Sequence, residues 1–154
     1  MSGGSVTEIY FYHLERRTLE DVLPRLLEKS LKRGWRAVVQ AASEERVEAL
    51  CTLLWTYEEE SFLPHGTPRD GRAAEQPIYL TASDDNPNAA QIRFLVDGTV
   101  LADASPYVRV AYVFEGRDAE AVVRARQAWQ EAKARGNVVK YFQQDADGSW
   151  QQKA

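Results

Sequence analysis

The chain carries a single cysteine, Cys51, among its 154 residues. An intramolecular disulfide is therefore excluded. Cys51 falls within a helical apolar pattern, which reads as a buried thiol in a cytoplasmic protein. No apolar run approaches the roughly 18 residues that a membrane-spanning helix requires. The start, MSGGSVTEIY, has neither a basic n-region nor an apolar h-region, so no secretory signal is visible. Residues 1–4 read as a flexible N-terminus. Two histidines, His13 and His65, stand far apart, and neither has Cys or His neighbours at metal-ligand spacing. No metal site is expected. There is no Gly-x-Ser-x-Gly elbow. The turn after the first predicted strand, HLERRTLED, contains no glycine, so neither a dinucleotide fingerprint nor a P-loop can form there. Arg16 and Arg17 can still attract an anion. A small nucleotide- or phosphate-binding α/β enzyme therefore stands as the alternative to a binding module. The lack of every standard catalytic signature favours the binding module, with no catalytic residue and no cofactor.

What is present is ordinary globular material, 44% apolar and 27% charged, with four tryptophans and seven tyrosines. The formal net charge is −4, which argues against a protein that lives on nucleic acid through its own phosphate contacts. The charge is uneven, however. Residues 117–140 hold six basic and three acidic side chains. One basic face on an acidic protein suits a specific anionic partner, although a solvated helix face explains it equally well.

Residues 6–14 alternate loosely and predict a strand. Thr18 caps a helix that stops at Gly34, with Asp21 at its third position; Pro24 should bend this helix or shift its start. RAVVQAA predicts a buried strand. Ser43 caps a helix in which Val47, Leu50, Cys51, Leu54 and Trp55 share a face. Residues 57–76 lack periodicity and predict a long loop, of the kind that tends to be functional. PIYLTA, QIRFLVDG and YVRVAYVFEG predict further strands. Asp118 caps a helix running to Arg135, and VVKYFQQ predicts a last strand. Strands alternating with helices imply an α/β fold: one three-layer domain over 5–143 with a mostly parallel central sheet, Rossmann-like but lacking the glycine-rich phosphate loop. Residues 144–154 read as a polar C-terminal tail.

LWTYEEESFLPHG closely resembles the signature of the chi subunit of bacterial DNA polymerase III. IYFYHL, LEKSLKRGWRAVV, NAAQIRFLV, VRVAYVFEGRD and ARQAWQEAKARG resemble the family's remaining elements in order, over about residues 6–142. The resemblance implies a non-catalytic replication adaptor. Chi-like proteins bind the acidic, phenylalanine-ended C-terminal tail of single-stranded DNA-binding protein. In many bacteria they also bind the psi subunit, which links them to the clamp loader, and some pair with a DNA-repair helicase. DNA is contacted only indirectly, and no membrane is involved. Carried onto this sequence, the tail site falls on Arg126, Trp129, Gln130 and Lys133, which share one helix face. Gln130 and Trp129 stand where a lysine and a tyrosine are expected. Trp129 reads either as a pocket wall or as plain core. The partner-subunit contact, psi or helicase, falls on Trp55, Phe62, Leu63, Pro64 and His65. This group reads either as an apolar docking surface or as a satellite core beneath the loop. Pro64 holds Leu63 extended, Gly66 lets the chain turn sharply, and His65 bonds loop backbone.

Overall fold

The computed structural model describes residues 7–56 and 63–154. Residues 1–6 and 57–62, including Phe62, lie outside the described part. Strand β1 covers Glu8–Leu14, helix α1 Leu19–Lys32, β2 Ala37–Gln40, α2 Glu44–Thr56, β3 Ile78–Thr81, β4 Ile92–Leu95, β5 Arg109–Glu115, α3 Ala119–Ala134, β6 Val138–Gln144 and β7 Trp150–Gln152. The seven strands form one sheet in the order β3-β2-β4-β5-β1-β6-β7. All neighbours are parallel except the antiparallel pair β6–β7.

The alternation of β1 sets the layers. Tyr10 and Leu14 join the core under α1 and α2, with Leu23, Leu27, Leu50, Leu54 and Phe94. Ile9 and Phe11 join the opposite core under α3, with Val110, Ala125 and Ala132. Helices on both faces cover a mostly parallel sheet, so β2, β3 and β4 are buried along their whole length.

Local chemistry fixes the helix ends. The Asp21 N–H donates to Thr18 Oγ1 at 3.3 Å and the Thr18 N–H to Asp21 Oδ2 at 3.5 Å, a reciprocal capping box. Pro24 lies buried inside α1 and does not shift its start. The Arg46 N–H donates to Ser43 Oγ at 3.2 Å, which caps α2.

Two sequence expectations change. The polar tail of 144–154 is not a plain tail. Gln144 ends β6, the chain turns through Asp145–Gly148, and Trp150–Gln152 returns as β7. Trp150 sets its ring edge-on to Tyr12 at 5.1 Å, and that contact gives the return strand its apolar anchor. Trp55 also leaves the buried face of α2: Val47, Leu50 and Leu54 are buried, whereas Trp55 is 58% exposed.

Candidate functional site

Helix α3 carries the basic face. Asp118 starts it by accepting the N–H groups of Glu120 at 3.1 Å and Ala121 at 3.2 Å. Ala125 and Ala132 turn inward. Arg126, Gln130 and Lys133 are exposed on one flank, and Trp129 is half-buried between that flank and the core. The Lys133 ammonium lies 4.7 Å from the centre of the Trp129 ring. The Trp129 indole N–H is buried and has no hydrogen-bond partner among the described residues. Trp129 is thus both a core residue and one wall of the basic surface. A small apolar hollow of about 40 Å³ opens on the other flank of α3, lined by Leu95, Val100, Tyr112, Arg124 and Ala128.

Behind Arg126 stands His13, on the α3 side of β1. Its Nδ1 is 2.7 Å from the Tyr141 hydroxyl, its Nε2 is 3.0 Å from Glu15 Oε1, and its ring tilts against Phe114 at 5.1 Å. Burial holds the imidazole below its ordinary pKa. Glu15 opposes this and the Arg126 charge adds to it. Burial likewise pushes the Tyr141 hydroxyl up, with Arg126 pulling it down. Nothing in the sequence linked His13 to α3; only the register of β1 with β5 and β6 places it there.

The second expected site divides. Leu63 is 5% exposed and belongs to the core under α2. Pro64 is exposed and His65 half-buried. The Trp55 ring meets the His65 ring edge-on at 5.5 Å. His65 does bond loop backbone, with Nδ1 2.7 Å from the Leu63 carbonyl oxygen. A carbonyl only accepts, so Nδ1 carries the proton. Nε2 then accepts from the Cys51 thiol, whose sulfur is 3.3 Å away. Burial, with Asp70 and Glu48, pushes the thiol pKa up. A nucleophile needs the thiolate, so this pair pins the loop to α2 rather than preparing chemistry. Sequence spacing gave no sign of the pairing. Gly66 does not turn the chain. It pairs with β3 as an isolated parallel bridge, with the Gly66 N–H donating to the Ile78 carbonyl at 2.9 Å. A Cβ there would meet the Gln76 side chain at 2.5 Å, so a larger residue would have to displace that side chain.

The glycine-free first turn is occupied from within. The backbone N–H groups of Glu15, Arg16 and Arg17 all donate to Gln144 Oε1, at 2.9, 3.1 and 3.2 Å. Three converging amides form the kind of concavity that receives a phosphate oxygen in nucleotide-binding α/β proteins. Here the amide oxygen of a residue that is 5% exposed fills it. Among the described residues, no group of His, Cys, Asp and Glu is placed to hold a metal ion, and no helix is long and apolar enough to cross a membrane.

The family model described as "DNA polymerase III chi subunit, HolC" matches residues 6–140. The protein named "Probable DNA polymerase III subunit chi" from Rickettsia prowazekii (strain Madrid E) is 31% identical over 102 residues, which cover 64% of this chain and 62% of the relative. The match therefore spans less than two thirds of that relative's length.

Proposed function

The chain belongs to the chi subunit family of DNA polymerase III, and from that premise we propose that it is a non-catalytic adaptor of the replication machinery. In this reading the α3 flank receives the acidic, phenylalanine-ended tail of single-stranded DNA-binding protein. The observation that carries it is the trio Arg126, Trp129 and Lys133. Two exposed cations flank a half-buried aromatic ring, and neither cation has a carboxylate within ion-pair distance among the described residues. Arg126 supplies a fork for the terminal carboxylate, Lys133 a charge for the tail's aspartates, and Trp129 a wall for its phenyl ring. Gln130 offers a neutral donor on the same flank.

The exposed Trp55, with Pro64 and His65, forms the contact for a partner subunit, either psi or a DNA-repair helicase. Leu63 anchors that surface from below; its sequence neighbour Phe62, expected in the same contact, lies outside the described residues. The protein works in the cytoplasm and meets DNA only through its partners. The alternative of a phosphate-binding enzyme is disfavoured by Gln144, which takes the amides a phosphate would need.

Nitrogen-15 chemical-shift mapping with the tail peptide tests the assignment. Shifts centred on Arg126, Trp129 and Lys133 support it. Shifts centred on Arg124 and Ala128 would move the site to the apolar hollow on the opposite flank, and no shift on α3 would remove it.

A further inference from the structure

A second basic surface lies on the other side of the sheet, built partly by residues beyond the 6–140 matched by the family. Helix α1 and the β6–β7 hairpin leave between them a groove of about 420 Å³, lined by Arg17, Arg25, Leu26, Lys29, Gln144 and Trp150. The hairpin is the return strand the sequence did not announce. Gly148 sits in its turn at φ +82°, and a Cβ there would meet Arg17 Nε at 2.8 Å. The glycine thus lets the Arg17 guanidinium lie against the turn and face the groove.

The charges of the groove do not balance. Its two acids are engaged: Asp21 in the capping box of α1, and Glu20 with Arg46 at 3.6 Å. Arg25 lies 3.9 Å from Glu28. Arg17 and Lys29 have no carboxylate within ion-pair distance among the described residues. Strand β7 ends the sheet. In its antiparallel pairing, Lys153 donates to Tyr141 at 2.7 Å and Ser149 accepts from Asp145 at 2.9 Å. By alternation, the backbone groups of Trp150 and Gln152 point away from β6 and meet no strand among the described residues.

We propose that this groove is a docking site for an acidic, extended segment of a protein partner, which lies along β7 and pairs its carboxylates with Arg17 and Lys29. An open strand edge supplies backbone hydrogen bonds to a peptide. Single-stranded nucleic acid fits less well. A nucleic acid has no peptide N–H and C=O groups at strand spacing to pair with the open edge of β7. This site is separate from the α3 flank, and its test does not depend on the tail reading.

The test uses the full chain, labelled with nitrogen-15, and three probes: a short peptide alternating Glu and Val, its Lys–Val counterpart, and oligothymidylate. The Glu–Val peptide is expected to shift the Trp150 indole and the Trp150 and Gln152 amides, and salt should weaken the effect. Arg17→Glu and Lys29→Glu should abolish those shifts at unchanged melting temperature, whereas Lys133→Glu should leave them intact. Three results would overturn the proposal: no shift at β7, equal shifts with the Lys–Val peptide, or shifts with oligothymidylate but not with the Glu–Val peptide.

Discussion

Lys133 holds its ammonium 4.7 Å from the centre of the Trp129 ring, so the cation and the aromatic wall of the α3 flank are one unit. A cation over an indole at an exposed site contributes about 0.5–1 kcal/mol. Lys133→Ala should therefore cost little stability but weaken binding of an acidic tail and flatten its salt dependence. Trp129→Ala should weaken binding and also lower the melting temperature, because half of the ring is core. Equal salt dependence in the wild type and Lys133→Ala would separate Lys133 from the site.

Leu63 and Trp55 stand next to the same histidine and should respond oppositely to truncation. Leu63 is buried, so Leu63→Ala should cost about 2–5 kcal/mol in urea unfolding. Trp55 is mostly exposed, and its ring meets His65 edge-on. Trp55→Ala should cost about 1 kcal/mol and act mainly on partner binding. A large loss of stability from Trp55→Ala would make it a core residue instead.

Gln144 closes the first turn. Gln144→Ala would leave three amides of that turn without their acceptor, at a cost of about 1–3 kcal/mol. The same variant should gain affinity for inorganic phosphate, read as a rise in melting temperature with phosphate that the wild type does not show. Unchanged stability without phosphate binding would mean that the turn re-forms around another acceptor.

His13 ties stability to pH. Its pKa is depressed in the folded state, chiefly by burial. The unfolded chain takes up a proton near pH 6.5 and the folded chain only at lower pH, so stability falls as pH drops through about 6.5. His13→Gln should flatten that part of the melting-temperature profile. An acidic ligand beside Arg126 should raise the His13 pKa by offsetting the Arg126 charge, visible in the imidazole proton shifts. Superimposable profiles for wild type and His13→Gln would assign the pH dependence to other groups.

The order of elements was legible because parallel strands buried on both faces read as short apolar runs, and because Thr18, Ser43 and Asp118 are strong caps. The basic character of α3 was legible from the charges of residues 117–140, and the family resemblance singled out Arg126, Trp129, Gln130 and Lys133 on it. Four features were not. β7 is a three-residue strand in a polar sequence, and only the contact of Trp150 with Tyr12 and its pairing with β6 make it one. The Cys51–His65 pair and the contact of Gln144 with the first turn join residues far apart in the chain, so no local pattern encodes them. Arg93 is the clearest case. It is fully buried inside β4, where its guanidinium donates to Gln40, to the Ser83 and Asp85 carbonyls and to the Tyr107 hydroxyl. Nothing in IRFL distinguishes it from a surface arginine.

The measurement that bears most directly on the adaptor reading is an anisotropy titration of this protein into a labelled peptide with the acidic, phenylalanine-ended tail, beside a peptide lacking that phenylalanine. The account predicts saturable binding that depends on the phenylalanine, weakens with salt and is reduced by Arg126→Ala. Equal binding of the two peptides, or none, would contradict it.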